Sequence, residues 1–326
     1  MTQSVSCGEA LISLLEKYDV DTVFGIPGVH TLDLYRGLAH SNIRHIQARN
    51  EQGAGFMADG YARLSGRPGV CVLISGPGVT NACTPMGQSF ADSIPVLVIS
   101  STTASYSLGK GWGCLHEVTD LEAVTRPLTA LSATASSPDD LEELIGQAFS
   151  IFASERPRPV HIAIPIDVLA QPVSGTWHPR GVPAPPAPAS SAIREAATLL
   201  RQAERPLIYI GGGAINASDT LTEVAERLDA AVMTTTAGKG VVPDSHRLCI
   251  GGGIVRPQAR DFLAQADVIL AIGTEMSETD SGVERMTLNG QLIRIDIDSR
   301  KMNDLYPAAI GIVSDCLLYT SDAADE

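Results

Sequence analysis

The residue best placed for chemistry is Glu51, which stands at the start of a helical pattern interrupted by glycines at positions 53, 55 and 60. A segment typical of a strand, residues 43–48, precedes it, and Asn50 is a good N-cap for the helix. Each interior glycine costs about 1 kcal/mol relative to alanine, so we expect another backbone or a ligand to approach closely where the side chains are absent. A carboxylate on such a rigid element suits proton transfer to a bound group, although the helix dipole alone also favours a first-turn glutamate.

Two histidines in glycine-rich turns are the other candidates for chemistry. His30 ends the turn at residues 25–30, and His116 lies near the end of a loop, residues 108–117, in which glycines alternate with other residues. An imidazole in such a loop can act as a general acid or base, or can donate a hydrogen bond to a substrate carboxylate. The alternative is that His116 is a structural histidine with satisfied hydrogen bonds, and that His30 is only exposed.

The elements that must position these residues are strands followed by glycine turns and helices. Residues 21–24 are typical of a short strand that runs into the turn at 25–30 and a helix at 31–38. The apolar run 70–75 ends in a second such turn, residues 75–81, before another helix, and continuous apolar runs suit strands that are covered on both faces. Ligands bind at the carboxyl ends of parallel strands, so the sequence predicts an α/β fold with its site at that edge.

The pattern of alternating elements predicts two doubly wound parallel-sheet domains and a linker. We place the first domain at residues 1–170, a proline- and alanine-rich linker at 171–191 and the second domain at 192–315, with its last strand at 292–297. The final segment, residues 316–326, resembles a translated sequencing-library adapter, and we interpret it as an artefactual tail.

Composition excludes several classes of function. The 326 residues carry a net charge of −14, which argues against nucleic acid and anionic membrane surfaces as partners. The six cysteines are scattered singly, so neither a zinc site nor a disulfide framework is indicated. The sequence shows no signal peptide and no apolar run long enough to span a membrane, and we therefore expect a cytoplasmic protein.

Residues 49–63 resemble the motif of thiamine-diphosphate enzymes of the acetolactate synthase and 2-oxo acid decarboxylase superfamily, although that family usually has His where Asn50 stands. The resemblance implies that Glu51 contacts and activates the aminopyrimidine of thiamine diphosphate, with Ile26 and Met57 keeping water out. It implies a cofactor site and a substrate site: Ile26, Pro27, Gly28, Glu51, Pro77 and Asn81 for the cofactor, and Val29, His30 and His116 for a 2-oxo acid. Glu51 and His116 are the predicted catalytic residues.

The loop that contains His116 distinguishes branches of this superfamily. Acetolactate synthases usually have Phe-Gln-Glu where Leu115, His116 and Glu117 stand, and the Leu-His-Glu form looks more like decarboxylases of 5-guanidino-2-oxopentanoate. Two alternatives stay open, namely an acetolactate synthase large subunit and, from another class, a non-catalytic nucleotide-binding module that uses the glycine turns at 76 and 211.

The resemblance also implies what lies outside this chain. The family's third domain holds the diphosphate through Mg2+ with a Gly-Asp-Gly and a later Asn-Asn signature, and neither occurs here. We therefore expect that this diphosphate-binding domain is missing, that the fragment contains no metal ligand and is inactive, and that the intact enzyme is a homodimer or homotetramer. The central, Rossmann-like domain binds FAD in acetolactate synthases, but the acidic segment 273–280 contains no arginine and argues against FAD here.

Overall fold

The computed structural model describes residues 5–317, which divide into two compact units after Pro183. Each unit contains a six-stranded sheet with helices packed on it. All neighbouring strands within these two sheets are parallel, which confirms the predicted α/β class with two parallel-sheet domains.

The first unit contains eight strands and seven α-helices among its described residues. Its strands are β1 (Val5–Ser6), β2 (Thr22–Gly25), β3 (Arg44–Gln47), β4 (Gly69–Leu73), β5 (Val96–Thr102), β6 (Leu131–Thr134), β7 (Val160–Pro165) and β8 (Pro172–Val173). Its helices are α1 (Cys7–Lys17), α2 (Leu32–Ala39), α3 (Glu51–Ser65), α4 (Pro77–Asp92), α5 (Leu121–Thr125), α6 (Pro138–Ser154) and α7 (Ile166–Leu169). The six-stranded sheet has the order β3-β2-β4-β5-β7-β6, and β1 pairs with β8 in a separate antiparallel ribbon.

Helices cover both faces of the first sheet, as a doubly wound fold requires. One core layer takes residues from α1, α2 and α6, whereas the other takes Ala54 and Ala58 of α3 together with Ala82 and Met86 of α4. Every residue of β4, β5 and β7 is buried as a result, which explains why these strands form continuous apolar runs rather than alternating ones.

The glycines of α3 differ in what surrounds them. A Cβ atom on Gly55 would lie 2.3 Å from Cγ of Pro85, so this glycine lets α3 and α4 approach closely. No atom of the described chain lies within 4 Å of the corresponding position on Gly53 or Gly60. The expectation of a close approach is therefore correct for Gly55. At Gly53 and Gly60, no atom of the described chain fills the space that a side chain would occupy.

Substituting these glycines by alanine should change the stability of the first unit in opposite directions. Gly55→Ala should destabilise it by about 1–2 kcal/mol, because overpacking against Pro85 costs more than the gain in helix propensity. Gly53→Ala and Gly60→Ala should each stabilise it by roughly 0.5–1 kcal/mol, since their Cβ atoms meet open space. Urea unfolding followed by tryptophan fluorescence measures this unit alone, because both tryptophans, Trp112 and Trp177, lie in it. A Gly55→Ala protein more stable than Gly53→Ala would contradict the assignment.

The second unit repeats the architecture with a different strand order. Its strands are β9 (Pro206–Ile210), β10 (Ala231–Thr234), β11 (Cys249–Gly251), β12 (Val268–Ile272), β13 (Gln291–Asp296) and β14 (Ile310–Val313), and its helices are α8 (Ser190–Gln202), α9 (Ser218–Leu228), α10 (Pro257–Leu263) and α11 (Glu278–Ser281). The sheet order is β11-β10-β9-β12-β13-β14. The prediction that residues 292–297 form the last strand is wrong, because β14 follows β13 and pairs with it at the edge of the sheet. β14 is short and contains Gly311, so its sequence gives only a weak strand signal.

Part of the segment predicted as a linker packs on the first unit. Val173 pairs with Val5 and is buried, and Trp177 is buried in the first core with its carbonyl oxygen accepting a 2.6 Å hydrogen bond from Nζ of Lys17. Of the predicted tail, only Cys316 and Leu317 lie within the described residues, and Cys316 is buried in the core of the second unit. Between residues 5 and 317, no helix has both the length and the apolar character needed to cross a membrane.

Candidate active site

The predicted site residues of the first unit follow four neighbouring strands of its sheet. Gly28 and His30 lie after β2, Glu51 lies after β3, Asn81 lies in the helix that follows β4, and His116 lies in the loop after β5. Because β3, β2, β4 and β5 are adjacent and parallel, all of these segments leave the sheet at the same carboxyl edge. This is the edge at which open α/β sheets bind ligands.

Glu51 is the first residue of α3 and is half-buried. The helix begins at this point because the side-chain oxygen of Asn50 accepts a 2.8 Å hydrogen bond from the backbone N–H of Gln52. One carboxylate oxygen of Glu51, Oε2, accepts a 2.9 Å hydrogen bond from Nδ2 of Asn81. The other oxygen, Oε1, has no hydrogen-bond partner within residues 5–317, so it can accept or share a proton with a bound group.

Ile74 joins the turn after β2 to the start of α4. A Cβ atom on Gly28 would lie 2.6 Å from Cδ1 of Ile74, and one on Gly78 would lie 2.7 Å from its Cγ2. Cγ of Glu51 lies 3.7 Å from that same position on Gly78. The two glycines and Ile74 therefore bring the β2 turn, the α4 N-terminus and the Glu51 carboxylate together, which favours a flat ring packed beside the acid.

The expectation that Met57 keeps water from Glu51 is wrong. Met57 lies six residues further along α3, which corresponds to about 9 Å along the helix axis and a rotation of about 240°. Its side chain is 36% exposed, and it lies outside the apolar core cluster that includes Ile26. Ile74 is the apolar side chain that packs at the Gly78 position beside Glu51, and Glu51 is half-buried rather than dry.

His116 is held against the turn between β4 and α4 by its backbone and its ring. Its φ angle is +59°, a left-handed conformation that costs a non-glycine residue roughly 1–2 kcal/mol. Nδ1 of its ring lies 3.4 Å from the carbonyl oxygen of Ser75, and its own carbonyl oxygen accepts a 3.4 Å hydrogen bond from Oγ of Ser75. A Cβ atom on Gly76 would lie only 2.3 Å from that carbonyl oxygen, so a glycine is needed there.

The rings of His30 and His116 face each other edge to face, with centroids 5.9 Å apart. Nδ1 of His30 is buried and has no hydrogen-bond partner among the described residues. Desolvation, and secondarily the neighbouring His116, lower the pKa of His30 below its usual value, so His30 is neutral at physiological pH. A neutral imidazole can accept or donate one hydrogen bond at this position.

Glu117 organises the loop at residues 108–117. Its Oε1 accepts the N–H of Gly111 at 2.8 Å, and its Oε2 accepts those of Gly113 at 2.7 Å and Cys114 at 2.9 Å. These bonds, above all that from Cys114, lower the pKa of Glu117 below its usual value. Glu117 is part of the Leu-His-Glu motif, but a carboxylate that accepts only backbone N–H groups has no partner residue type that the sequence could reveal.

The predicted residues differ in exposure. Pro27, Val29, Pro77 and Asn81 are exposed, whereas Ile26, Gly28, His30 and His116 are half-buried. The donor set fits the aminopyrimidine half of thiamine diphosphate, since it combines a half-buried carboxylate with the apolar side chain of Ile74, which two glycines allow to lie beside that carboxylate. Ile74, Ser75 and Glu117 belong to the same site. In the sequence, only their position next to glycine turns indicated that they lie near it.

The glycine turns of the second unit pack against each other. A Cβ atom on Gly211 would lie 2.2 Å from the carbonyl oxygen of Gly273, and one on Gly238 would lie 2.3 Å from that of Ile210. Arg294 hydrogen-bonds to the carbonyl oxygen of Thr274, in the segment after β12, and its side chain is fully buried. It donates hydrogen bonds to the carbonyl oxygens of Thr274 and Tyr306 and to the carboxylate of Asp304.

Comparison with protein families identifies both units. Residues 5–123 match the thiamine pyrophosphate enzyme, N-terminal TPP binding domain, and residues 193–321 match the thiamine pyrophosphate enzyme, central domain. The order and spacing of the two matches follow the two units of the structure.

Curated relatives resemble nearly the whole chain. A protein of Pseudomonas aeruginosa named as a probable 2-ketoarginine decarboxylase is 55% identical over 320 residues, which cover 96% of this chain and 56% of that protein. An acetolactate synthase of Mycobacterium bovis is 36% identical over 96% of this chain and 52% of its own length, and the acetolactate synthase isozyme 1 large subunit of Escherichia coli is 34% identical over 94% and 55%. The chain thus spans about half the length of these relatives. It belongs to the thiamine pyrophosphate enzyme family, of which it carries the N-terminal and the central domain.

Proposed function

We propose that this chain is part of a thiamine-diphosphate-dependent decarboxylase of a 2-oxo acid, and that the acid is 5-guanidino-2-oxopentanoate. The observation that carries the proposal is the placement of the Glu51 carboxylate, with Oε1 unpartnered among residues 5–317, beside Gly78 and Ile74 at the carboxyl edge of the sheet. Thiamine diphosphate, when bound, supplies a carbon nucleophile that adds to a 2-oxo acid and accepts the electrons left by departing CO2.

Glu51 would activate the cofactor through its aminopyrimidine. Oε1 of Glu51 would share a proton with a ring nitrogen, while Asn81 holds Oε2 and so fixes the orientation of the carboxylate. The turn formed by Ile26, Pro27 and Gly28 and the α4 residue Pro77 would pack against the ring from two sides. The anchoring of Gly28 supports this role, because Oγ1 of Thr31 accepts its N–H at 3.1 Å and donates to its carbonyl oxygen at 3.0 Å.

His116, His30 and Val29 would form the substrate side of the site. The two imidazoles lie together, and the buried Nδ1 of His30 is open to a hydrogen bond from or to a substrate oxygen. His116 would then act as the acid or base that delivers or removes a proton at the substrate, or donate to its carboxylate. Val29, which is 69% exposed, lies at the tip of the same turn and would contact the substrate chain.

The substrate assignment rests on similarity and on the His116 loop. The relative that is 55% identical is named as a 2-ketoarginine decarboxylase, and 2-ketoarginine is 5-guanidino-2-oxopentanoate. The acetolactate synthases are 34–36% identical, and they support the second candidate, an acetolactate synthase that joins two pyruvates. The presence of His116, rather than the Gln typical of that branch, favours the decarboxylase.

We further propose that the second unit has a structural role and does not bind FAD. The packing of Gly211 on Gly273 supports this, because it accounts for the glycine turn without a pyrophosphate. The burial and bonding of Arg294 support it too, since this arginine is not open to a phosphate. The same packing weakens the case for a nucleotide-binding module.

Mg2+ and the diphosphate would be held by sequence beyond residue 315 in a cytoplasmic homodimer or homotetramer, and the chain alone would be inactive.

A fusion enzyme tests the proposed reaction. Residues 1–315 of this chain are joined to the remaining C-terminal part of the Pseudomonas aeruginosa relative, and CO2 release is measured with thiamine diphosphate and Mg2+. We expect kcat/KM for 5-guanidino-2-oxopentanoate to exceed that for pyruvate by about 10²-fold or more, because a polar side-chain site rejects a substrate that lacks the matching group. Acetolactate as the main product from pyruvate would support the alternative.

Calorimetric titration of the unfused chain with FAD should give no binding heat, and micromolar binding would overturn the structural role of the second unit.

A further inference from the structure

We propose that Glu117 is a positioning residue whose carboxylate folds the loop at residues 108–117 and thereby holds His116 at the site; the proposal rests on the function proposed above. Three backbone N–H groups of the loop, at distances between 2.7 and 2.9 Å, converge on this one side chain. Charge-assisted hydrogen bonds of this kind are about twice as strong as neutral ones.

Hydrophobic burial does not hold this loop in place. Leu108, Trp112 and Leu115 are 38%, 64% and 56% exposed, so the apolar side chains of the loop do not anchor it. Gly109, Gly111 and Gly113 have φ angles of +68°, +66° and +75°, which direct successive N–H groups inward but leave the backbone entropically costly to order. The Glu117 carboxylate is therefore the main enthalpic restraint on residues 111–114.

The restraint is transmitted directly to His116, which precedes Glu117 in the chain. His116 has a left-handed backbone, and such a conformation persists only where the surroundings over-determine it. Ser75 and Gly76 constrain the ring and the carbonyl oxygen of His116. The loop that Glu117 holds together constrains the backbone on the other side of the residue. Removing the carboxylate should free the loop, so that the ring of His116 leaves its place opposite His30.

Limited trypsin proteolysis of the chain tests the structural half of the proposal. Lys110 is exposed inside the loop, so cleavage after it reports how often the loop opens. We expect Glu117→Gln to accelerate this cleavage at least fivefold, because an amide can accept at one position only and presents N–H groups to the remaining donors. Glu122→Gln is the matched control, since Glu122 lies nearby but pairs with Arg126 at 2.9 Å and contacts no loop N–H. Unchanged cleavage in Glu117→Gln would overturn the proposal and leave the proposed function intact.

Kinetics of the fusion enzyme test the catalytic half. Glu117→Gln should lower kcat about tenfold or more, while the urea midpoint of the first unit, read by tryptophan fluorescence, stays unchanged. If Glu117 acts through His116, adding Glu117→Gln to His116→Ala should change kcat/KM less than twofold. Independent, multiplicative losses would overturn positioning through His116. Full activity of His116→Ala would refute the proposed role of His116 and, with it, the positioning proposal, even if cleavage at Lys110 rises.

Discussion

Replacing Glu51 by glutamine in the fusion enzyme should lower kcat for decarboxylation by about 10²- to 10⁴-fold, the usual contribution of a positioned general acid or base. Glutamine has nearly the same volume, and its amide oxygen can still accept the hydrogen bond from Asn81. It cannot, however, give up or share a carboxylic proton with a ring nitrogen. The loss should therefore appear in kcat, with a much smaller change in the concentration of thiamine diphosphate needed for half-saturation.

The matched control for Glu51→Gln is Gln52→Ala. Gln52 is the next residue of the first turn, is exposed, and contributes to the cap only through its backbone N–H. Its truncation should leave kcat within about twofold and the urea midpoint unchanged. An activity of Glu51→Gln within fivefold of the parent would remove the central residue from the proposed mechanism, because no other carboxylate is assigned to the cofactor ring.

Much of the architecture around Glu51 was predictable from local patterns. Buried parallel strands give continuous apolar runs, and the glycine turns after them mark the carboxyl edge, so residues 21–30 and 70–81 identified the edge that carries the site. The helix start at Glu51 was equally clear, because Asn50 caps it by a local hydrogen bond. These features depend on neighbours in sequence.

Local sequence patterns do not predict contacts between segments that are far apart in the chain. Gly53, Gly55 and Gly60 look alike in the sequence, but only Gly55 meets another helix, through Pro85. Met57 and Ile26 are both apolar, but the helical rotation places Met57 away from Glu51. β14 is short and contains Gly311, and only its pairing with β13 makes it a strand. In each case the deciding partner lies far away in the chain, so composition and periodicity carry no signal for it.

His161 should make the first unit lose stability as the pH falls below about 6.5. This histidine is fully buried in β7, and its Nε2 and Nδ1 each lie 2.8 Å from a hydroxyl oxygen, that of Ser100 in β5 and that of Thr125 in α5. Desolvation lowers the pKa of His161 from 6.5 to about 3. Between these values the unfolded chain binds a proton that the folded chain excludes, so stability is full above pH 6.5 and declines as the pH approaches 3.

His161→Gln isolates this contribution. Glutamine keeps a polar group near Ser100 and Thr125 but cannot titrate, so between pH 7 and pH 4 the parent should lose about 3 kcal/mol more than the variant. At pH 7 the variant should be less stable by about 1–3 kcal/mol, because the ring's two hydrogen bonds are not fully replaced. Urea unfolding of the chain at each pH, followed by tryptophan fluorescence, measures both quantities for the first unit.

The control for this titration is His40→Gln, at an exposed position on the C-cap of α2. At pH 7 it should leave the urea midpoint of the first unit close to that of the parent. Equal pH dependence in the parent and His161→Gln would mean that the buried imidazole does not remain neutral in the fold.

The network matters for the site because Thr125 ends α5, the helix that follows the His116 loop. If protonated His161 releases Thr125, cleavage after Lys110, normalised to trypsin cleavage of an unstructured peptide at the same pH, should accelerate in the parent between pH 6 and pH 4.5, and much less in His161→Gln.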